Sequence, residues 1–268
     1  MTSVTVRSST GISIKDVVHE YRPPRGRTVL ALDRVNLEVR EREFVALLGP
    51  SGCGKSTLLY LLGGFLPIQQ GSILVQGCPI QGPSPERGIV FQHFALYPWK
   101  TVRQNILYGL EKQNIPKTQR SERADHFIKL VGLQGFEESY PSQLSGGMKQ
   151  RVAIARTLAL DPDTLLMDEP FGSLDAQTRL LMQEELIAIL HRSPKTVVFV
   201  THDVHEAVLL ADRVVVMTAR PGRIKEIVDT RFSGVRNVQI SETPEFIERR
   251  NYAWSLLRDE AIAAERQT

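Results

Sequence analysis

Apolar positions along this chain fall into short, dense runs separated by polar turns. Runs rich in β-branched residues predict strands at residues 12–18, 35–39, 44–48, 72–75, 88–91, 164–167, 196–200 and 213–217. Residues 222–228 read as a late edge strand or hairpin arm. Helical patterns fall between the strands. Residues 55–65 follow a glycine-rich turn. Residues 118–131 place Ala124, Phe127, Ile128 and Val131 on one stripe. Residues 146–160 are amphipathic and stop at Asp161-Pro162. Residues 175–191 open on an N-cap residue, Asp175, and close at Arg192-Ser193-Pro194. Residues 243–265 predict a final helix with Pro244 in its first turn.

Strands alternating with helices imply an α/β layer built on a parallel sheet. The mostly helical segment 93–155 interrupts that alternation and reads as an inserted helical subdomain. Strands before residue 43 read as an antiparallel flank. The expected division is therefore an α/β core with its β flank at 11–92 and 156–230, the insert at 93–155 and a helical tail at 231–268. Together these make one domain over residues 1–268.

Composition narrows the class. The 268 residues are 42% hydrophobic and 24% charged, which excludes a disordered or low-complexity chain. Against 30 acidic residues stand 33 Lys and Arg, a net charge of +3 and too weak to argue for nucleic acid. The basic run from Arg22 to Arg27 reads as a solvated loop. Cys53 and Cys78 have neither metal-ligand spacing nor the number a disulfide framework needs, so a reducing compartment is expected. The polar N-terminus lacks the apolar core of a signal peptide. The most apolar stretch, residues 58–66, is broken by Gly63-Gly64 and falls short of the ~20 residues of a membrane span. Any membrane role is thus expected to come through a partner.

The motifs carry the chemistry. Gly49-Pro50-Ser51-Gly52-Cys53-Gly54-Lys55-Ser56 fits G-x-x-x-x-G-K-[ST], and Thr57 follows. It lies between an apolar strand and a helix, the context in which such a loop wraps phosphates. Glycines allow close backbone approach and the helix start adds a positive dipole end. Lys55 is placed to reach the β- and γ-phosphates, and the Ser56 hydroxyl to ligate Mg²⁺. The apolar strand 164–167 ends in Asp168-Glu169. Unpaired carboxylates at such a tip are costly, so a task for them is expected. Asp168 suits the Mg²⁺ shell and Glu169 the polarising of an attacking water. His202, just past strand 196–200, has two readings: a capping or core histidine, or a group bonded to the γ-phosphate. Ser145 before Gly146-Gly147 makes a second anion-binding helix start. The chain already has a phosphate loop, and a second anion site is explained if it serves nucleotide held by another copy.

Taken together and in order, these motifs resemble the ATP-binding cassette (ABC) ATPases, with Leu144-Ser145-Gly146-Gly147-Met148-Lys149-Gln150-Arg151 at the signature. The resemblance spans nearly the whole chain. It implies a P-loop NTPase (RecA-like) core, ATP and Mg²⁺ as ligands, and two chains sandwiching two ATP molecules. It further implies that Tyr21 stacks on adenine, although an aromatic at a strand end also commonly serves packing. Gln92 would contact Mg²⁺ and water and lead to the membrane partner. Ser173-Leu174-Asp175 would cross the dimer interface, Glu169 would be the catalytic base and His202 the switch histidine. Within the family, Gly82–Gln92, Leu96–Trp99, Phe171–Arg179 and Ala219-Arg220-Pro221-Gly222-Arg223-Ile224 resemble importer subunits for nitrate, sulfonates and taurine, the taurine type above all. Ser173 and Gly63 stand where alanine is common.

The implied partners are a transmembrane permease dimer, a second copy of the chain and, indirectly, a solute-binding protein, at the cytoplasmic face of the membrane. No regulatory domain is expected. Phe94, Leu96, Tyr97 and Trp99 would line the groove that holds a permease helix; the competing reading places them in the core of the helical insert. Other solutes, such as bicarbonate or a thiamine precursor, and a non-transport role as an iron–sulfur assembly scaffold are the alternatives.

Overall fold

Burial separates two kinds of strand in this chain. The computed structural model describes residues 10–23, 26–113, 115–233 and 236–265. In chain order its strands are β1 (Thr10–Tyr21), β2 (Val29–Arg40), β3 (Phe44–Leu48), β4 (Gln70–Val75), β5 (Cys78–Pro79), β6 (Arg87–Val90), β7 (Thr164–Asp168), β8 (Thr196–Thr201), β9 (Arg213–Met217) and β10 (Ile224–Asp229). Its helices are α1 (Lys55–Gly63), α2 (Val102–Lys112), α3 (Lys117–Leu130), α4 (Gly146–Ala159), α5 (Ala176–Arg192), α6 (Val204–Leu210) and α7 (Pro244–Glu265). From Val35 to Arg40, β2 alternates buried and exposed side chains, as a strand with one wet face must. By contrast β3, β7 and β8 are buried at every position, which marks strands covered on both faces.

The chain divides into two compact units, Met1–Pro83 with Pro194–Thr268, and Ser84–Ser193. In the first, β2, β1, β4 and β5 form an antiparallel sheet in that order. In the same unit β3 is flanked by two parallel neighbours. Leu48 at its tip pairs with Thr201 of β8 on one side and Val216 of β9 on the other, and β10 returns antiparallel to β9. In the second unit β6 and β7 are parallel, Val90 opposite Met167, and α2, α3 and α4 pack on one another.

Most predicted boundaries move by a residue or two, but β2 begins at Val29, six residues before its predicted start, and β1 runs on to Tyr21. One further start moves for a specific reason. β10 begins at Ile224 rather than 222 because Gly222 bonds into another strand: its N–H donates to Ala31 O and its carbonyl accepts from Asp33 N. Helices α2 and α6 had no individual prediction. Val204 and the run Ala207 to Leu210 of α6 are all buried, so no amphipathic stripe marks the element. In α2 the apolar anchors Val102, Ile106 and Leu110 are diluted by polar residues and Gly109. Of the basic run, Arg22, Pro23, Gly26 and Arg27 are exposed, while Pro24 and Arg25 lie outside the described residues, as does the predicted polar N-terminus. Among the described residues no helix is long and apolar enough to cross a membrane.

Candidate nucleotide site

The glycine-rich loop is closed by its own lysine. Lys55 Nζ donates to Gly49 O at 2.7 Å and to Pro50 O at 2.9 Å, and lies 3.9 Å from Cys53 Sγ. Lys55 and Thr57 are buried, whereas Ser51 and Gly52 are exposed and Pro50, Gly54 and Ser56 half-buried. Gly54 turns the chain into α1 with φ 104. A Cβ there would stand 2.7 Å from Leu32 Cδ2 and 2.8 Å from Ala31 O, so both the backbone angle and the neighbouring strand demand glycine. The start of α1 then directs its first-turn amides at the space around which the loop wraps, with the positive end of the helix dipole behind them. Burial pushes the Cys53 thiol up, against an opposing pull from Lys55.

Two more predicted residues meet this loop in the same unit. Tyr21, at the end of β1, shares a 3.2 Å hydrogen bond between its hydroxyl and Thr57 Oγ1. Tyr21 is 42% exposed, and its ring makes a T-shaped contact with His19 at 5.0 Å. The parallel register that pairs Leu48 with Thr201 sets Gly49 and His202 at adjoining strand tips. His202 is exposed there and lines a cavity of about 500 Å³ with His205, Arg250 and Trp254. The turn beneath it is held by Asp203, whose carboxylate accepts from His205 N at 2.7 Å and Glu206 N at 3.2 Å, and by Thr201, which donates to Glu206 at 2.8 Å.

The second unit gathers the other predicted acids. Because Val90 pairs with Met167, Gln92 and Glu169 emerge at the same end of β6 and β7. Gln92 Nε2 is 3.5 Å from Glu169 Oε2, at the outer limit of a hydrogen bond. Asp168 is fully buried at the tip of β7. Glu169 follows with φ 45, a left-handed conformation that costs a non-glycine residue about 1–3 kcal/mol. Such strain at a carboxylate that leaves a buried strand is a feature of functional sites.

In the same unit Ser145 caps α4, its Oγ accepting from Met148 N at 3.3 Å. Ser145 and Gly146 are exposed. A Cβ on Gly147 would stand 3.3 Å from Leu174, so the signature and the 173–175 loop are neighbours. Asp175 caps α5 by accepting from Thr178 N at 3.0 Å, and that bond lowers its carboxyl below the usual range.

The aromatic loop after Gln92 is held by residues that the sequence reading passed over. Asn105 of α2, fully buried, accepts from Tyr97 N at 2.9 Å and donates to the carbonyls of Tyr97, Lys100 and Thr101 at 3.0–3.2 Å. Arg156 of α4 donates to Ala95 O at 2.7 Å and stacks over the Tyr97 ring at 5.8 Å. On this frame Trp99 is 70% exposed, and Phe94, Leu96 and Tyr97 are half-buried. A mid-helix asparagine in an otherwise ordinary stretch was the only signal.

A closed phosphate loop, a strained acid after a buried strand and a capped signature helix on this α/β framework define a cassette ATPase. Solved structures carry the same fold. One is a dimeric bacterial ABC transporter cassette, at TM-score 0.76 and 32% identity, covering 83% of this chain and all of that one. Another is an ATP-binding cassette in a post-hydrolysis dimer bound to ADP and phosphate, at TM-score 0.75 and 31% identity with the same coverage. Residues 32–172 match the family described as ABC transporter. An uncharacterised ABC transporter ATP-binding protein of Methanocaldococcus jannaschii is 54% identical over 237 residues, 88% of each chain. The taurine import ATP-binding protein of Roseobacter denitrificans is 43% identical over 254 residues, 93% of this chain and 95% of that one. The nitrate import ATP-binding protein of a Synechocystis strain is 45% identical over 253 residues, 92% and 95% respectively. The chain belongs to the ABC transporter family and is an ATP-binding, ATP-hydrolysing cassette.

Proposed function

We propose that this cassette is the motor of an importer for a small anionic or zwitterionic solute, taurine or another sulfonate or nitrate, bound to a permease at the cytoplasmic face of the membrane. One observation carries the coupling. Gln92 reaches toward the candidate base Glu169, and the next residues form the loop that exposes Trp99. A single segment thus touches the hydrolytic acid and offers an aromatic surface to a partner. The solute class rests on the taurine and nitrate import relatives, which match nearly end to end at similar identity.

The residues take these roles. Gly49 to Thr57 wrap the phosphates and Tyr21 stacks on the base. Glu169 accepts the proton of the attacking water, and His202 bonds the terminal phosphate. Ser145, Gly146, Gly147 and Asp175 meet the nucleotide of a second, identical chain. Ser56, Gln92 and Asp168 each offer a hard oxygen donor, the kind Mg²⁺ takes, and are assigned to it. The ion, when bound, offsets phosphate charge. The nucleotide core at 11–92 and 156–230, the helical insert at 93–155 and the tail at 231–268 belong to the same reading.

Purification of the tagged chain from native membranes in mild detergent, followed by mass spectrometry, tests the partner. A multi-spanning permease is the expected companion. Its associated binding protein would then be screened with taurine, alkanesulfonates and nitrate. Recovery of soluble partners alone would overturn the importer reading. Alanine at both Tyr97 and Trp99 is expected to abolish co-purification while the isolated chain keeps its ATPase rate; intact assembly and transport would remove the docking role.

A further inference from the structure

The segment Ala219-Arg220-Pro221-Gly222-Arg223 is part of no site described so far, yet it leans on the phosphate loop. Arg220 Nε and Nη2 both donate to Gly52 O, each at 3.2 Å. Gly222 lies so close to the same loop that a Cβ would come within 2.0 Å of Cys53 O, so no larger residue fits without moving the loop. The turn is also rigid. Thr218 N donates to Arg223 O at 2.9 Å, Thr218 Oγ1 donates to Pro221 O at 2.9 Å, and Gly222 is stitched to β2 as described above.

The other end of the turn is tied to the tail. Glu260 of α7 accepts from Ala219 N at 2.8 Å through one carboxylate oxygen. Its other oxygen pairs with Lys225 Nζ at 2.9 Å, and the glutamate side chain is only 14% exposed. Lys225 also donates to Leu256 O at 3.2 Å. Glu260 is close enough to the phosphate loop to help push the Cys53 thiol up. From α7 to Gly52 the contacts are therefore continuous: helix carboxylate, turn amide, guanidinium, loop carbonyl.

We infer that Arg220 is a positioning residue for ATP binding, holding the phosphate loop in its open-wrapped shape, and that Glu260 of the tail helix holds Arg220's turn in register. The inference rests on the assignment of Gly49 to Thr57 as the ATP site. Gly52 is exposed with φ 73; the N–H of its following peptide, Cys53 N, donates to Pro50 O at 3.4 Å, and Arg220 holds the carbonyl side. Fixing its carbonyl by a two-pronged charged donor lowers the cost of ordering the loop around phosphates. The guanidinium acts on the loop and need not touch the nucleotide.

The test uses the purified full-length chain. ATP affinity with Mg²⁺ is measured by titration calorimetry, alongside steady-state ATPase and melting without nucleotide. Arg220→Ala is expected to weaken ATP binding and raise KM about five- to tenfold, with kcat at saturation and the nucleotide-free melting point retained. Arg220→Lys, which keeps one charged donor, is expected to recover most of the loss. Glu260→Ala should shift affinity in the same direction by about threefold, and the double variant should be no weaker than Arg220→Ala because both act through one chain of contacts. Glu260→Gln, which keeps an acceptor for Ala219, should stay near wild type. Wild-type affinity in Arg220→Ala would overturn the inference. So would a loss of affinity that tracks a lowered nucleotide-free melting point and is not recovered by lysine. Failure of the unsubstituted chain to bind ATP would instead overturn the site assignment itself.

Discussion

The Glu169→Gln chain is expected to bind ATP with near wild-type affinity and to hydrolyse it about 10²–10⁴-fold more slowly. The substitution keeps side-chain size and keeps an oxygen able to accept from Gln92, so the contact at 3.5 Å survives. The left-handed backbone at φ 45 is set by the turn after β7, whose first bond is Gly172 N to Glu169 O at 3.2 Å, and does not depend on the carboxylate charge. What disappears is basicity. ATP that binds without being consumed favours whichever state holds it best, by mass action. The solved cassettes to which this chain is similar are dimers, so the variant is expected to accumulate as a dimer in ATP on size-exclusion chromatography. Single-turnover hydrolysis at the unsubstituted rate would remove Glu169 from the catalytic role.

Lys55→Ala is expected to lower turnover by about 10²-fold or more and to weaken nucleotide binding as well. Two losses combine. The first is a positive charge at the place where phosphate charge develops. The second is structural. Lys55 Nζ now bonds the carbonyls of Gly49, which is buried, and Pro50, which is half-buried, and its removal leaves both acceptors without that donor. Lys55→Met, which keeps the apolar stem of the side chain but loses the charge and the donor, separates packing from the rest: it should melt above the alanine variant yet remain as poor a catalyst. Unchanged affinity and turnover in Lys55→Ala would contradict the phosphate-loop assignment.

How much of the site could be read in advance depended on whether its residues are close in sequence. The loop from Gly49 to Ser56 works through local backbone geometry, and its glycines and lysine are visible as a motif. Ser145 and Asp175 are helix caps, and caps announce themselves by residue type just ahead of a helical pattern; the bonds to Met148 N and Thr178 N are as that logic requires. Asn105 and Arg156 are different. Asn105 bonds carbonyls just ahead of it in the chain and Arg156 one 61 positions away, but in both cases any residue's carbonyl serves equally well, so the loop sequence carries no trace of the partner. The same holds for Arg220 and Gly52, 168 positions apart. The motif around Arg220 was legible as a family trait and silent about its contact.

The sequence by itself determined most of the order of strands and helices, the parallel core with an antiparallel flank, the phosphate-loop motif, the acid pair at the end of β7 and the signature helix. Each depends on periodicity or on chemistry confined to a few neighbouring residues, and such patterns survive in one dimension. Tertiary structure alone decided that α6 is a helix, since an element buried all round has no stripe to reveal it. It alone set Gln92 beside Glu169 and Gly49 beside His202, through strand registers that pair residues far apart in the chain. It alone joined the tail helix to the phosphate loop through Glu260 and Arg220. The physical reason is common to the last two: which groups meet across the fold follows from packing, and the backbone groups that pair there are the same in every residue.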